Sequence, residues 1–114
     1  MKFAPLLVVM LAGCAAHTPQ NIMEQATRYD ARLKLPPGKA ADCLARNAWN
    51  IHADFFTTPM SLGDDGSLEV VLRLGGAGVV AIIHLRPAAG GSNATSWWRF
   101  VTREEWPAKV VEGC

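Results

Sequence analysis

The sequence predicts an α+β fold in which one short helix packs on a four-stranded antiparallel meander sheet. Three observations predict this class. Apolar residues recur at helical spacing between residues 39 and 50, and from residue 51 onward the apolar period changes to two. Glycine-rich turns join the segments of period two, and short strands joined by short turns pair antiparallel with their neighbours. The helix is available to cover one face of the sheet.

The first thirteen residues have the order of a secretory signal peptide. Lys2 supplies a positive start, residues 3–12 form an apolar run interrupted only by Pro5, and small residues follow. The run is about half as long as the ~20 residues that a membrane-spanning helix needs. It ends in Leu-Ala-Gly-Cys at residues 11–14, which closely resembles the lipobox of bacterial lipoproteins.

This resemblance implies processing and anchoring. In that family the cysteine thiol receives a diacylglyceryl group, a dedicated peptidase cuts just before the cysteine, and the new amino group is acylated. The resemblance thus implies a cut between Gly13 and Cys14, with residues 1–13 as the expected signal peptide and Cys14 as the expected lipid carrier. Three acyl chains, at about 0.8 kcal/mol per buried CH₂, are enough for stable membrane anchoring without a transmembrane helix. In lipoproteins of this type, an aspartate directly after the lipidated cysteine favours retention in the inner membrane. Ala15 stands at that position here, so the expected location is the periplasmic face of the outer membrane.

The cysteine count agrees with a lipidated Cys14. An odd number of cysteines in an exported chain leaves one to explain, and the three are Cys14, Cys43 and Cys114. If Cys14 is lipidated as the resemblance implies, Cys43 and Cys114 have a single pairing in an oxidising compartment. Closing a loop of that length is worth roughly 4 kcal/mol in the chain-entropy model. The alternative, a redox pair or metal ligands, lacks a C-x-x-C spacing.

Residues 14–37 are expected to form the lipidated tether. Residues 15–21 are small and polar, and residues 22–33 carry a rough apolar stripe of helical period. The stripe leaves two alternatives open, a helix and a partly ordered linker. Pro36, Pro37 and Gly38 then end the segment, which leaves residues 38–114 as the globular domain.

A helix is predicted from Lys39 to Asn50, because alanine and leucine favour it and no breaker interrupts it. Its core face is expected to hold Ala40, Cys43, Leu44 and Ala48. The four strands are expected in IHADFFTT (51–58), SLEVVLRL (67–74), GVVAIIHLR (78–86) and TSWWRFV (95–101). Inward-facing residues are expected to be Ile51, Ala53 and Phe55, then Leu68, Val70, Leu72 and Leu74, then Val79, Ala81, Ile83 and Leu85.

The last thirteen residues are expected to begin with one helical turn. Thr102 is the expected N-cap, and the turn is expected to end before Pro107. The chain must then bring Cys114 back to the helix that carries Cys43.

Composition argues against some classes of partner. Acidic and basic residues balance once Lys2 is removed with the signal peptide, because the whole chain has 11 Lys and Arg against 10 Asp and Glu. A near-neutral chain offers no electrostatic case for binding nucleic acid or an anionic membrane surface.

No metal or cofactor site is predicted. His17, His52 and His84 lie far apart in sequence, whereas strong metal sites show paired ligands at short spacing. His17 falls in the tether, and His52 and His84 are expected on strands, facing solvent.

No catalytic constellation is predicted, so the chain is not expected to be an enzyme. Ser92 lies in GGSNAT, which lacks the G-x-S-x-G order and the following helix of a nucleophile elbow. Asp64, Asp65 and Gly66 suit a hairpin turn better than a calcium loop, since further oxygen ligands are missing. Asp54, Glu104 and Glu105 show no spacing that would pair two carboxylates and are expected to be solvated surface groups.

The adjacent pair Trp97-Trp98 is the candidate binding feature. Neighbours on a strand point to opposite faces, so one ring is expected in the core and one outside. With Trp106, the outer ring would form an aromatic surface that binds a protein or stacks on sugar rings. The alternative is that the C-terminal segment covers the outer ring.

The sequence therefore predicts a small lipid-anchored envelope protein with a non-catalytic structural or interaction role. The second interpretation is a periplasmic ligand-binding or enzyme-inhibitory module that uses an aromatic sheet surface. The expected partners are the membrane, through the N-terminal lipid, and an envelope protein or glycan, but not nucleic acid.

Overall fold

The computed structural model describes residues 26–99 and 105–114 and confirms the α+β class. The elements follow one another as β1 (Thr27–Leu33), α1 (Pro37–Ile51), β2 (Phe55–Ser61), β3 (Leu68–Leu74), β4 (Gly78–Ala88), β5 (Gly91–Trp98) and α2 (Glu105–Val111). The strands form one antiparallel sheet in the order β1-β5-β4-β3-β2. None of the helices described is long and apolar enough to cross a bilayer.

The sheet has five strands, so the prediction of four was wrong. The additional strand is β1, which lies within residues 22–35, where a helix or a partly ordered linker was expected. It pairs with β5 along its whole length, from Thr27 opposite Trp98 to Leu33 opposite Ser92. The sheet therefore includes residues that precede Pro36. The sequence predicts a domain boundary at Pro36, Pro37 and Gly38, which follow this strand in the chain.

Helix α1 confirms the predicted helix and its buried face. Pro37 is its first residue, a position where the missing N–H of proline costs nothing because it would have no intrahelical acceptor. The four residues expected to face the core are all buried; they are Ala40, Cys43, Leu44 and Ala48.

The predicted start of the first meander strand was wrong. Ile51 is the last residue of α1, and the backbone N–H of His52 donates to the carbonyl of Ala48 at 3.0 Å. The chain turns through exposed Ala53, and β2 begins only at Phe55, which is buried as expected.

The predicted faces of β3 and β4 are confirmed except at one position. The alternating leucines and valine of β3 face the core, as do Ala81, Ile83 and Leu85 of β4. The register shifts between Leu72 and Arg73, which pair with Ala81 and Val79. Such a bulge places two residues opposite one, so Val80 enters the core and Val79 packs on the other side of the sheet.

The C-terminal segment closes the fold on the same side as α1. Helix α2 continues through Pro107 instead of ending before it, because the third residue of a helix needs no N–H acceptor within the helix. Thr102 lies outside the described residues. The predicted disulfide is present, with 2.08 Å between the sulfur atoms of Cys43 and Cys114. The backbone N–H of Leu35 also donates to the carbonyl of Cys114 at 2.9 Å.

A candidate binding face on the sheet

The candidate site is the sheet face opposite the two helices, which we call the outer face. Both described helices contribute buried residues to the main core, whereas Val71 and Ile82 form a separate cluster on the outer face. Strand register places fifteen side chains there. They are Arg28, Asp30 and Arg32 of β1, Asn93, Thr95 and Trp97 of β5, Ile82, His84 and Arg86 of β4, Glu69, Val71 and Arg73 of β3, and Phe56, Thr58 and Met60 of β2.

Trp97 lies on β5, beside the central strand β4 of the sheet. Its ring is half-buried against the Val71 and Ile82 side chains. The ring of His84 meets it edge-on, with 4.9 Å between the ring centroids. The guanidinium of Arg28 lies 5.9 Å from the centroid of the Trp97 ring, within the range of a cation–π contact.

A row of polar side chains crosses four strands beside Trp97. Asp30, Thr95, His84 and Glu69 occupy directly opposite positions from β1 to β3. The Thr95 hydroxyl donates to Asp30 Oδ1 at 2.9 Å, and His84 Nε2 lies 2.9 Å from Glu69 Oε2. Because an ionised carboxylate only accepts hydrogen bonds, we assign the ring proton to Nε2.

The second ring nitrogen of His84 is unsatisfied. Nδ1 is buried and has no hydrogen-bond partner in the described part of the chain. A buried polar atom without a partner costs about 1–3 kcal/mol. His84 is thus a costly residue at the centre of the outer face, and the expectation that it faces solvent was wrong because Glu69 and Trp97 cover it.

Two carboxyl groups on this side of the molecule favour their ionised form. The Thr95 hydroxyl and the Arg28 guanidinium hydrogen-bond to Asp30 and lower the pKa of its carboxyl. The backbone N–H and hydroxyl of Ser67, with a smaller contribution from Arg86, lower the pKa of Asp65. Both groups are stabilised as anions and stay charged as the pH falls towards their usual titration range.

A shallow cleft opens beside His84 and Arg86. Its volume is about 600 Å³, and the loop between β2 and β3 forms its other wall. Asp65 accepts hydrogen bonds from the Ser67 N–H and hydroxyl at 3.0 Å each, and these two bonds fix the turn at this end of the loop. Asp64 and Asp65 thus add two acidic groups at the rim of the outer face.

Exposed apolar side chains border the face along β2. Phe56 is 58% exposed and Met60 is 56% exposed, and Leu62 follows the end of the strand. Thr58 separates Phe56 from Met60 along the strand, so the two add apolar surface at separate points of this border.

The structure does not bring the three candidate tryptophans together. Trp97 and Trp98 lie on opposite faces, and Trp98 is buried in the core with its indole N–H donating to Ser96 Oγ at 3.0 Å. Trp106 lies on α2, where its ring packs edge-on against the ring of Phe55, with 5.3 Å between the two ring centroids. Only Trp97 belongs to the outer face, and α2 lies on the opposite side of the sheet and does not cover it.

The other candidate residues are dispersed. His52 is exposed and its Nδ1 accepts a hydrogen bond from the Asp54 N–H, while Glu105 forms an ion pair with Lys109 at 3.9 Å. Ser92 is fully buried and donates to the Leu35 carbonyl at 2.6 Å, which gives it a structural role. Within the described ranges, no group of three or more His, Cys, Asp or Glu side chains is placed to hold a metal. Gly13, Cys14, His17 and Glu104 lie outside those ranges.

Sequence reasoning missed most of the outer face. The alternation of Arg28, Asp30 and Arg32 with apolar residues is the signal that could have placed them on one side of a strand. Their position beside Trp97 depends on the pairing of β1 with β5, which no local pattern reveals.

Comparison with known proteins supplies no likeness from which to argue. No family model matches the chain, and neither a curated protein nor a solved structure matches it. The function must therefore be argued from the chemistry of the outer face and from the N-terminal sequence.

Proposed function

We propose that this chain is a small lipid-anchored protein of the bacterial envelope with a non-catalytic interaction role, and that it binds its partner through the outer face. The anchoring half of the proposal rests on the resemblance of residues 11–14 to a lipobox. The Cys43–Cys114 bridge supports it, because disulfides persist in exported proteins and are rare in reducing compartments.

The contrast between the two sheet faces carries the interaction half of the proposal. On one face α1, α2 and the strands bury a continuous core. The outer face instead presents Trp97, several arginines and the exposed pair Phe56 and Met60. Aromatic residues, methionine and arginine are the types enriched in the cores of protein interfaces.

The cleft supports the second candidate, a ligand-binding or enzyme-inhibitory module. Its volume of about 600 Å³ is within the range of small-molecule sites. His84 and Arg86 on one wall and Asp64 on the other would supply polar contacts of both signs to such a ligand.

Lipidation is tested with labelled palmitate and globomycin, which blocks the lipoprotein signal peptidase. We expect the wild-type chain to incorporate palmitate and its precursor to accumulate when globomycin is added. Cys14→Ser should lose the label, whereas Cys43→Ser, the matched control, should keep it because its thiol is not the acceptor. The anchoring half of the proposal would be refuted if the wild-type protein took up no palmitate and globomycin did not inhibit its processing.

A further inference from the structure

We infer that the partner of the outer face is a protein with a carboxylate-rich surface, docked over Trp97 and the arginines around it. This inference rests on the proposed function, because it names the partner of the same face.

Every basic strand residue that projects from the outer face is an arginine. They are Arg28, Arg32, Arg73 and Arg86. The described lysines lie elsewhere: Lys34 follows β1, Lys39 is in α1 and Lys109 is in α2. Arginine is enriched and lysine depleted in protein interfaces, because the planar guanidinium pairs with a carboxylate through two parallel hydrogen bonds. A membrane surface, which responds mainly to charge, would be served equally well by lysine.

The two strand carboxylates on the face already have partners within it. Asp30 accepts from Thr95 and lies 3.3 Å from the Arg28 guanidinium, and Glu69 is held by His84. Arg86 makes no side-chain hydrogen bond within the described part of the chain, although it lies close enough to Asp65 to lower the pKa of that carboxyl. The strand residues of the face therefore carry four arginines against two carboxylates, and Asp64 and Asp65 at the rim balance this excess. It is the guanidinium donors, and not a net positive charge, that are left over for carboxylates of a partner.

The contact would have the layout of a protein interface. Trp97 forms a half-buried aromatic centre with Arg28 over its ring, and Phe56 and Met60 add apolar surface at one border. Five strands about 4.8 Å apart, paired over about seven residues each, give a face of roughly 24 by 23 Å. The projected area of about 550 Å² is of the same order as the ~800 Å² that each partner buries in a standard interface.

The exposed surface of α1 provides a matched control. It also carries an exposed large apolar residue, Trp49, at 64% exposure, and two exposed basic residues, Lys39 and Arg46. A photocrosslinking amino acid is therefore placed at Met60 or, as control, at Trp49 in the full-length protein in living cells. Each position is combined with Arg28→Glu plus Arg86→Glu or with Lys39→Glu plus Arg46→Glu.

We expect a discrete protein adduct from Met60 and none from Trp49. The outer-face charge reversals should reduce the adduct about tenfold or more, which is the effect of losing one buried charge contact, while the α1 reversals leave it unchanged. Arg28→Lys plus Arg86→Lys, which keeps the charge, should still weaken the adduct several-fold because the paired hydrogen bonds are lost. Mass spectrometry of the adduct should place the crosslink beside carboxylates of the partner.

Other results would overturn the inference. These are lipid adducts alone, no adduct at all, equal adducts from Trp49, a crosslink beside basic residues, or full rescue by lysine. Palmitate labelling of the same variants keeps the two proposals separate, since a labelled chain without a protein adduct refutes only the inference about the partner. A cooperative thermal unfolding transition in each purified variant confirms that charge reversal has not unfolded the domain.

Discussion

At the scale of single residues, Gly91 has the least room for a side chain of the described glycines. A Cβ built there would lie 1.9 Å from the carbonyl oxygen of Leu33, in the neighbouring strand β1. At Gly90, the residue before it, a Cβ would meet nothing within 4 Å, although its φ is +78°. Gly91→Ala should therefore cost about 3 kcal/mol or more by forcing β1 and β5 apart. Gly90→Ala should cost only the ~1 kcal/mol of a left-handed backbone. Denaturant unfolding of the two variants measures the difference, and equal losses would mean that β1 does not lie against Gly91.

The sequence predicted a glycine turn at Gly90 and Gly91, but it could not say which glycine is irreplaceable. The carbonyl that leaves no room at Gly91 belongs to Leu33, 58 residues earlier in the chain.

At the scale of elements, a side chain as well as the disulfide ties α1 to the end of α2. Asn47 of α1 donates to the carbonyls of Val110 and Glu112 at 2.8 and 2.9 Å, two of the groups that the last turn of a helix leaves unsatisfied. Asn47→Ala should destabilise the oxidised protein by about 1–2 kcal/mol. Asn50→Ala, at an exposed position of the same helix, should change stability by less than about 0.5 kcal/mol.

The stabilisation by the Asn47 hydrogen bonds and the stabilisation by the disulfide should depend on each other, because Asn47 Nδ2 lies 3.3 Å from Cys114 Sγ. Reduction frees the last residues, so Asn47→Ala should cost less in the reduced protein than in the oxidised one. Urea unfolding of wild type and variant, each oxidised and reduced, completes the cycle. An identical cost in both states would show that Asn47 acts independently of the bridge.

The elements that were predicted correctly are those whose signals are local. The leucines of β3 alternate without interruption, and α1 carries its stripe of small apolar residues between clear ends. Strand β1 was missed although Tyr29, Ala31 and Leu33 alternate with charged residues, since apolar residues just before it suggested a helical period. The position of Val79 was not predictable, because a bulge between two adjacent valines leaves no trace in an apolar pattern.

At the scale of the whole molecule, the same limit applies to the outer face. The opposite directions of Trp97 and Trp98 follow from strand geometry and were foreseen. The contacts that make Trp97 a candidate centre were not, because His84, Arg28 and Ile82 reach it from two other strands. A single-sequence pattern gives the direction of a side chain, whereas its neighbours depend on strand order and register.

Strand β1 decides where the folded body begins, which gives the last prediction. A chain that starts at Ala26 should fold, and one that starts at Pro36 should not. The shorter chain lacks Leu33, which is only 4% exposed, together with the partly buried Tyr29 and Ala31 of the same core. Losing one such leucine side chain costs about 2–5 kcal/mol, a large share of the 5–15 kcal/mol that holds a domain together. Removing β1 also leaves the backbone of β5 as an open sheet edge that favours aggregation.

Circular dichroism during heating and the dispersion of amide resonances distinguish the two chains. Cooperative unfolding of the chain that starts at Pro36 would restore the boundary at Gly38. If that chain fails to fold while the longer one succeeds, the body starts near residue 26, about twelve residues after the proposed anchor at Cys14, and Arg28 of the outer face lies at its start. That spacer spans at most ~40 Å, so the anchor would keep the binding face close to the membrane.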